Sequence, residues 1–408
     1  MNDLRVNGRR LQEYLVGLSR HGRTAQGGVS RVAYSQADIE GREYTIALMW
    51  QAGLQVRVDP VGNIFGCREG SESGAPAILF GSHIDSVPNG GAYDGALGSM
   101  AAIEVVQALA EAGYCNRHPL EVAIWADEEG GLIGSRGYVG ALSDSDLSAS
   151  GEDGISLADK IRRIDGHPER IGDAKPADGS ITAYVELHVE QGSTLESEGI
   201  DIGIVQGFVG INHYDVTITG RADHAGTTPM NARSDALLAA AATVLAVDET
   251  VKSIPGEQVG TVGRLCVRPG VPNVVPGEVE LTVELRDLEM ALIESVWRRI
   301  QLKLEEIATG HGIEVAHTLR QSLPGALTDP RIRRAIAKAA EVCCLSSRSM
   351  SSGAGHDAQN LARICPAGMI FVPSVGGVSH SPEEHTRPAD AENGANVLLQ
   401  TILQLDQW

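Results

Sequence analysis

Several short apolar runs in the first half of the chain lead directly into residue types that bind metal ions in proteins. The residues that follow three of these runs are His83, the adjacent pair Glu128 and Glu129, and His188. Continuous apolar runs of this length are typical of strands buried on both faces of a parallel sheet. In such sheets the reactive groups gather outside the carboxyl ends of the strands. The pattern therefore predicts a sheet with one chemically active edge.

The order of elements up to about residue 205 favours an α/β fold. Apolar runs at 77–80 and 120–125 flank a segment with helical spacing at 98–111, and another helical segment precedes them at 39–52. Alternation of strands and helices is typical of α/β layers in which most strands are parallel. We therefore predict an α/β unit with a mixed, mostly parallel sheet.

The pattern changes at about Gly207. The following segments alternate as β-α-β-β-α-β, at 210–220, 234–249, 259–267, 278–286, 288–309 and 313–319. This is the ferredoxin-like order, with both helices on one face of the sheet. From residue 330 the first pattern returns. The sequence therefore predicts a discontinuous catalytic domain at 1–207 and 322–408, and an inserted α+β domain at 208–321 whose open sheet suits dimerisation.

Composition argues against two classes of partner. The chain of 408 residues carries a formal net charge of −20, which is the wrong sign for binding a nucleic acid. The longest apolar stretch, at 236–247, is shorter than the roughly 20 residues that cross a membrane. We therefore expect neither a nucleic acid nor a membrane as a partner.

The cysteines and the first residues favour the cytoplasm. The six cysteines form no C-x-x-C pair, and Cys343 and Cys344 are adjacent in a helix-like stretch. We therefore expect buried free thiols in a reducing compartment. The first ten residues lack the apolar core of a signal peptide. Both observations lead us to expect a cytoplasmic protein.

The candidate residues have the chemistry of a metal-dependent hydrolase. A pair of zinc ions about 3.5–4 Å apart needs a carboxylate that bridges them. Asp94 lies in a glycine-rich turn where it can approach two ions, and Asp85 can hold the second ring nitrogen of His83. Of the consecutive Glu128 and Glu129, one can bind metal while the other takes a proton from the bridging water. A lone His or Glu is more often structural, but their combination at strand ends favours hydrolysis.

Seven motifs extend these residues along the chain: GSHIDS at 81–86, GAYDGALG at 91–98, DEEG at 127–130, ELHVEQG at 186–192, GRADHAGTTPM at 220–230, SGAGHDA at 352–358 and SHSPEEHT at 379–386. Together they resemble the hydantoinase/carbamoylase branch of the two-zinc amidohydrolase/exopeptidase family. That branch contains N-carbamoyl-L-amino acid hydrolases, β-ureidopropionases and allantoate amidohydrolases. The resemblance covers nearly the whole chain, from residue 27 to residue 385.

The resemblance implies a two-zinc exopeptidase-like catalytic domain with two divalent cations. The implied ligands are His83 and His188 for the first cation, Glu129 and His385 for the second, and Asp94 as the bridge. Glu128 is implied as the general base, which passes its proton to the leaving nitrogen. Zn²⁺ is the implied ion, and Mn²⁺, Co²⁺ and Ni²⁺ also suit such nitrogen and oxygen ligands.

The resemblance also implies residues that contact the substrate: Gln191, His224 at the oxyanion, and Asn273 with Arg286 at the substrate carboxylate. A guanidinium offers a carboxylate a bidentate contact. The alternative for Arg286 is a surface ion pair with Asp287 or Glu284. Relatives are dimers in which the inserted domains pair, so a homodimer is implied.

Two glycine-rich segments need separate interpretation. GAGHDA at 353–358 looks like a dinucleotide fingerprint, yet no strand is predicted before it and no acidic residue follows at the expected distance. We interpret it as a loop whose backbone amides contact the substrate, with Gly355 as the main contact. After Gly130 the chain runs into GLIGSRG at 131–137, so this loop is shorter than in the relatives and lacks their Arg-Phe pair.

The residues and the resemblance together lead to one function and several alternatives. We expect hydrolysis of the carbamoyl C–N bond of N-carbamoyl-L-amino acids to the amino acid, ammonia and carbon dioxide. The GAYDGALG motif looks closer to carbamoylases than to allantoate amidohydrolases, which are the first alternative. An aminoacylase- or dipeptidase-like hydrolase and a non-catalytic metal-binding homologue are the others. Glu128 argues against the last, because a binder needs no unliganded base beside its metal.

Overall fold

The computed structural model describes residues 3–151 and 153–408. The chain forms two compact units, Met1–Gln206 with Leu327–Trp408, and Gly207–Ala326. The domain predicted at 1–207 and 322–408 includes residues 1, 2 and 152, which lie outside the described residues. The dimerisation role of the inserted unit stays a prediction.

Helices and strands alternate along both units. The helices are α1 (Gly8–Leu18), α2 (Gln36–Gln51), α3 (Ala96–Glu111), α4 (Ile133–Tyr138), α5 (Asp144–Ser148), α6 (Leu157–Arg162), α7 (Thr194–Glu198), α8 (Ala236–Lys252), α9 (Met290–His311), α10 (Pro330–Val342), α11 (Asp357–Leu361) and α12 (Pro388–Leu405). The strands are β1 (Gln55–Val58), β2 (Ile64–Arg68), β3 (Ala77–His83), β4 (Leu120–Trp125), β5 (Ile181–Val189), β6 (Ile202–Phe208), β7 (Gly210–Thr219), β8 (Asp223–His224), β9 (Val259–Arg268), β10 (Val274–Val275), β11 (Glu278–Asp287), β12 (Glu314–Leu323), β13 (Ala326–Leu327), β14 (Ser347–Ser352) and β15 (Ala367–Val372). Each segment predicted above falls on one of these elements.

The centre of the first unit's sheet is parallel. The strand order runs β1-β2-β4-β3-β5-β15-β6, and β14 pairs with β6. Strand β3 is parallel to β4 and β5, and β15 is parallel to β5, whereas β1, β2 and β6 join antiparallel. The predicted α/β class with a mixed, mostly parallel sheet is therefore confirmed. Because the central strands share one direction, their carboxyl ends lie along one edge of the sheet.

The two faces of β5 carry different kinds of side chain. Successive side chains of a strand point to opposite faces of its sheet. Val185, Leu187 and Val189 belong to the large hydrophobic core that includes residues of α1, α2, α3, α10 and α12. The alternate side chains Glu186 and His188 are also fully buried, on the opposite face. Polar groups buried in this way require partners, and the candidate site lies on their side of the sheet.

Helix α3 packs unusually close to β5, and Gly98 makes this approach fit. A Cβ added at Gly98 would lie 2.0 Å from the carbonyl oxygen of Leu187 and 2.9 Å from Cβ of Ser82. The helix that follows Asp94 is thereby set directly against the strand that carries His188. Glycine normally weakens a helix interior, so its presence here indicates a packing requirement.

The inserted unit has the ferredoxin-like fold that its pattern predicts. Its sheet order is β12-β7-β11-β9, and all of these pairs are antiparallel. Helices α8 and α9 share one core with alternate residues of β7 and β11. Trp297 of α9 stacks on Tyr214 of β7 with ring centroids 3.8 Å apart. The other face of the sheet carries polar side chains such as His213 and Glu284.

Two expectations about the environment of the chain can be examined. None of the helices within residues 3–151 and 153–408 combines the length and the hydropathy that crossing a bilayer requires. All six cysteines are free. Neither of the adjacent cysteines is buried as predicted: Cys343 is partly buried and Cys344 is exposed, because α10 ends at Val342 and the chain turns there with a φ of 59° at Cys344.

Replacement of Gly98 by alanine tests the close contact between α3 and β5. Because the added Cβ would meet the Leu187 carbonyl, we expect Gly98→Ala to lower stability by about 2 kcal/mol, as overpacked sites do. The melting temperature followed by circular dichroism should fall by several degrees. Gly172→Ala is the matched control, since a Cβ there meets nothing within 4 Å. A Gly98→Ala protein as stable as this control would contradict the packing argument.

Candidate metal centre

The ends of three parallel strands bring four of the predicted site residues together. His83 ends β3, His188 is the penultimate residue of β5, and Glu128 with Glu129 closely follows the end of β4. Both histidines are fully buried, and Glu128 is 8 % exposed. The two histidines are therefore held by buried strands, and the two glutamates lie in the turn that follows β4.

Asp94 lies among these strand ends, in the loop before α3. Its Oδ1 atom is 3.1 Å from His188 Nε2 and 3.6 Å from His83 Nε2. Gly95 permits this approach, because its φ is +62° and a Cβ there would lie 2.3 Å from His83 Nε2. The carboxylate thus faces both imidazoles across a space that a side chain at position 95 would fill.

The second carboxylate oxygen of Asp94 faces a different pair of side chains. Oδ2 is 3.3 Å from His380 Nε2, which in turn is 3.4 Å from Glu129 Oε2. His83, Asp94 and His188 form one group that could hold a cation, and Asp94, Glu129 and His380 form another. A carboxylate shared between two such groups is the arrangement that a pair of bridged cations requires.

Two buried atoms in these groups support cation binding. His83 Nε2 and Glu129 Oε1 have no hydrogen-bond partner among the described residues. Buried polar atoms are nearly always paired in folded proteins, so two unpaired atoms at one place call for a ligand. Imidazole nitrogens and carboxylate oxygens are ligands that zinc and related divalent cations accept. The residues present therefore fit divalent cations.

Asp85 supports the site from behind. Its two carboxylate oxygens accept hydrogen bonds from the backbone amides of Glu128, at 3.2 Å, and Glu129, at 3.1 Å. Its Oδ1 lies 3.5 Å from Nδ1 of His83, while its own carbonyl oxygen is closer to that nitrogen, at 3.1 Å. Asp85 thereby orients His83 and the turn that carries both glutamates.

Gln191, which was predicted to reach the substrate, contacts Asp94 in this structure. Its Nε2 donates to Asp94 Oδ2 at 2.8 Å, and Ser379 Oγ donates to the same oxygen at 3.0 Å. Glu384 accepts hydrogen bonds from the backbone amides of Tyr93 and Asp94, at 2.9 and 3.0 Å. These contacts hold the loop that carries Asp94 against the loop that follows β15.

His385 was predicted as a ligand of the second cation, whereas His380 is the histidine that lies beside Asp94 and Glu129. None of the ligand groups formed by the described residues contains His385. His385 is exposed, and its ring lies edge-on to Tyr93 with centroids 5.5 Å apart. The reason is local backbone geometry: His380 has a φ of +54°, and Glu384 is anchored to the Asp94 loop. A usable sequence signal was that His380 is the first histidine after the end of β15.

His356 and Glu186 lie at the site and were not among the predicted site residues. The His356 ring is 4.4 Å from that of His188, centroid to centroid, and its Nδ1 is 3.7 Å from Glu128 Oε1. Glu186, His188 and His356 form a third group that could hold a cation. Gly355, the predicted backbone contact, is exposed in the loop beside His356. Strand β14 ends at Ser352, directly before this segment, where no strand was predicted, so the place of His356 after a strand end could not be predicted.

Glu186 already has protein partners, which indicates a structural role. It accepts hydrogen bonds from the following groups: Ser82 Oγ, Tyr184 OH and Ala358 N. A carboxylate with this many donors is less available to a cation than one without them. The two groups that share Asp94 are therefore the better candidates for metal binding.

The buried charges shift each other's pKa values. Desolvation raises the pKa of Glu128 well above its usual range, although His83 opposes this. Desolvation also acts to raise the pKa of Asp94, but His188 and the other imidazoles outweigh it and bring that pKa well below its usual range. The hydrogen bond to Asp94 raises the pKa of His380 to about 9. The site therefore combines an ionised carboxylate with one that readily holds a proton.

The inserted unit brings His224 and Asn273 together through the pairing of β8 with β10. The amide of Ala225 donates to the Asn273 carbonyl at 3.0 Å. Nδ1 of His224 accepts hydrogen bonds from the amides of Gly226 and Thr227 at 3.0 and 3.2 Å. A neutral imidazole whose Nδ1 accepts carries its proton on Nε2. His224 therefore offers an N–H donor, as the predicted oxyanion contact requires.

Arg286 lies on β11 of the same unit. Its Nε donates to Oε1 of Glu284 at 2.7 Å. The ion pair considered as an alternative for Arg286 is thus present. The contact of Arg286 with a substrate carboxylate stays a prediction.

The profile of the family described as Peptidase family M20/M25/M40 matches residues 79–404. The chain belongs to this family. The resemblance found in the motifs is thereby confirmed at the level of the family, whose hydrolases are metal-dependent.

Named relatives and solved structures extend this similarity over nearly the whole chain. The chain is 40 % identical to an N-carbamoyl-L-amino acid amidohydrolase from Geobacillus stearothermophilus, covering 98 % of this chain and 99 % of that protein. It is 35 % identical to an allantoate amidohydrolase from Bacillus subtilis, with 97 % of each chain covered. It also matches the crystal structure of a hydantoinase/carbamoylase family amidase from Burkholderia multivorans, with a TM-score of 0.91, 36 % identity and 98 % coverage of both chains.

Separate alanine substitutions distinguish the two histidines of the loop that follows β15. We expect His380→Ala, loaded with zinc and dialysed, to retain fewer ions per chain than the wild type, because one imidazole ligand is lost. His385→Ala is the matched control and should retain the wild-type number, since its exposed ring contacts Tyr93. Mass spectrometry of the metal content measures both. A wild-type zinc content in His380→Ala would contradict the assignment.

Proposed function

We propose that the chain is a metal-dependent amidohydrolase that cleaves the carbamoyl C–N bond of N-carbamoyl-L-amino acids. The products are the amino acid, ammonia and carbon dioxide. The observation that carries the proposal is that Asp94 is shared by two ligand groups beside the buried Glu128. The 40 % identity to the Geobacillus N-carbamoyl-L-amino acid amidohydrolase supports the substrate class.

Two divalent cations fit the proposed site. The proposed ligands are His83 and His188 on one side, Glu129 and His380 on the other, and Asp94 between them. Zn²⁺ suits this mixture of nitrogen and oxygen ligands, and Mn²⁺, Co²⁺ and Ni²⁺ are accepted by the same set. When bound, such cations polarise a carbonyl group and make a water molecule more acidic.

Glu128 is the proton carrier in this proposal. Its Oε2 lies 3.7 Å from His83 Nε2, yet Glu128 belongs to neither of the groups that share Asp94. It accepts a proton from the attacking water as the C–O bond forms, and it delivers that proton to the leaving nitrogen as the C–N bond breaks. The desolvation that raises the pKa of Glu128 strengthens it as the base in the first transfer.

The remaining substrate contacts are proposed for five residues: His224 at the oxyanion, Asn273 and Arg286 at the substrate carboxylate, and Gln191 with the Gly355 amide at other polar groups. The Nε2–H donor of His224 supports its assignment. The fork of the Arg286 guanidinium matches the geometry of a carboxylate.

We further infer a homodimer that forms through the inserted unit, and a cytoplasmic location. Strands β12 and β9 are the edges of that unit's sheet. Leu238 and Leu245 on α8 are 53 % and 63 % exposed. Open sheet edges and exposed apolar side chains are typical of surfaces that pair with a second copy. The free cysteines are typical of a reducing compartment.

Allantoate hydrolysis is the second candidate, because the chain is 35 % identical to the allantoate amidohydrolase of Bacillus subtilis. The reaction would use the same cations and the same base on a different ureido substrate. Allantoate hydrolysis ranks second because this identity is lower than the 40 % identity to the N-carbamoyl-L-amino acid amidohydrolase. An aminoacylase- or dipeptidase-like reaction would require the same machinery to act on an acyl or peptide bond.

A substrate panel separates these reactions. We expect ammonia release from N-carbamoyl-L-amino acids to exceed release from β-ureidopropionate and allantoate, with no turnover of dipeptides. Prior treatment with a chelator should abolish the activity, and added zinc or manganese should restore it. Activity on allantoate alone would reverse the ranking, and activity that resists the chelator would contradict the role of the cations.

Glutamine substitutions at the two consecutive glutamates separate proton transfer from metal binding. We expect Glu128→Gln to retain the wild-type metal content and to lose about 10²–10⁴ in kcat, since general acid–base catalysis contributes this much. Glu129→Gln is the comparison and should lose metal as well as activity. If the chain is a non-catalytic metal-binding protein, the wild type itself should show no turnover. An active Glu128→Gln enzyme would exclude Glu128 as the proton carrier.

A further inference from the structure

The polar face of the inserted unit's sheet carries a series of contacts that ends at Arg286. His213 lies between two acceptors: its Nδ1 is 3.2 Å from Gln321 Oε1, and its Nε2 is 2.7 Å from Glu284 Oε2. The other oxygen of Glu284 accepts the hydrogen bond from Arg286 Nε at 2.7 Å. Both oxygens of Glu284 are therefore used, one by each basic side chain.

Strand pairing fixes these contacts. In the register of the sheet, His213 on β7 is the direct partner of Glu284 on β11 and of Gln321 on β12. The register of β12 shifts between Leu319 and Gln321, so that Arg320 is the extra residue of a bulge. Bulges often redirect a side chain near a functional site.

Glu284 is a strong partner for Arg286 in this setting. The side chains of His213, Glu284 and Arg286 are all partly buried, which reduces the screening of their charges by water. The hydrogen bond from Arg286 lowers the pKa of Glu284. The carboxylate is therefore ionised at neutral pH and holds the guanidinium by a charge-assisted hydrogen bond.

We propose that Glu284 is a positioning residue that orients Arg286 for the substrate carboxylate, and that His213 in turn holds Glu284. This inference rests on the proposed function, in which Arg286 binds that carboxylate. A long arginine side chain loses rotamer freedom when it binds a ligand, so fixing it beforehand favours binding. Glu284 contacts the Nε atom of Arg286.

Glu284→Gln tests the proposal, with Glu280→Gln as the matched control. Glu280 lies on the same face of β11 and pairs with a different arginine, Arg268, at 2.8 Å. We expect Glu284→Gln to raise KM for an N-carbamoyl-L-amino acid about tenfold, as expected for loss of a hydrogen bond to a charged group, with kcat within about twofold. Glu280→Gln should change neither constant. His213→Gln should raise KM in the same direction by a smaller factor.

The carboxamide counterpart of the substrate, in which a neutral amide replaces the carboxylate, separates positioning from a general structural effect. On this substrate Glu284→Gln and wild type should have equal KM values, because no carboxylate remains for Arg286 to bind. The double variant Glu284→Gln with Arg286→Gln should also have the same KM as Arg286→Gln alone. Equal effects on both substrates, or a fall in kcat with unchanged KM, would show that Glu284 only stabilises the sheet.

The Arg286→Gln variant makes the two possible failures distinguishable. If wild type turns over no ureido acid, the proposed function fails and this inference fails with it. If wild type is active and Arg286→Gln raises KM while Glu284→Gln does not, the positioning role alone is overturned. If Arg286→Gln leaves KM unchanged, Arg286 does not bind the carboxylate and Glu284 has nothing to position.

Discussion

The contacts of both carboxylate oxygens of Asp94 determine how the catalytic edge of the first unit is built. A buried carboxylate costs several kcal/mol unless positive charge or hydrogen-bond donors surround it. Oδ1 meets this requirement with His83 and His188, and Oδ2 meets it with His380 and Gln191. The parallel strands and the close packing of α3 on β5 bring these groups to one point.

The fold and part of the site could be predicted because the relevant information is local. A strand buried on both faces is a continuous apolar run, and the residue at its carboxyl end is adjacent in sequence. His83 and His188 were found in this way, as were Glu128 and Glu129. The ferredoxin-like unit was found because its strands alternate polar and apolar residues.

The rest of the site depends on tertiary structure and on irregular backbone. His380 and His385 lie in one loop that has no periodic pattern. The left-handed backbone of His380 and the hydrogen bond from the Asp94 amide to Glu384 together set which of the two histidines lies beside Asp94. His356 enters the site because α11 packs beneath His188. No short-range rule of sequence describes either contact.

The two sides of Asp94 differ in their exposure to solvent, and this difference has a consequence for the order in which cations are exchanged. His83 and His188 are fully buried, whereas the His380 side chain is 48 % exposed. A cation on the His380 side would leave and re-enter directly from solvent, while one between His83 and His188 would need the loops to open. Gradual depletion would therefore pass through a form that keeps only its inner ion.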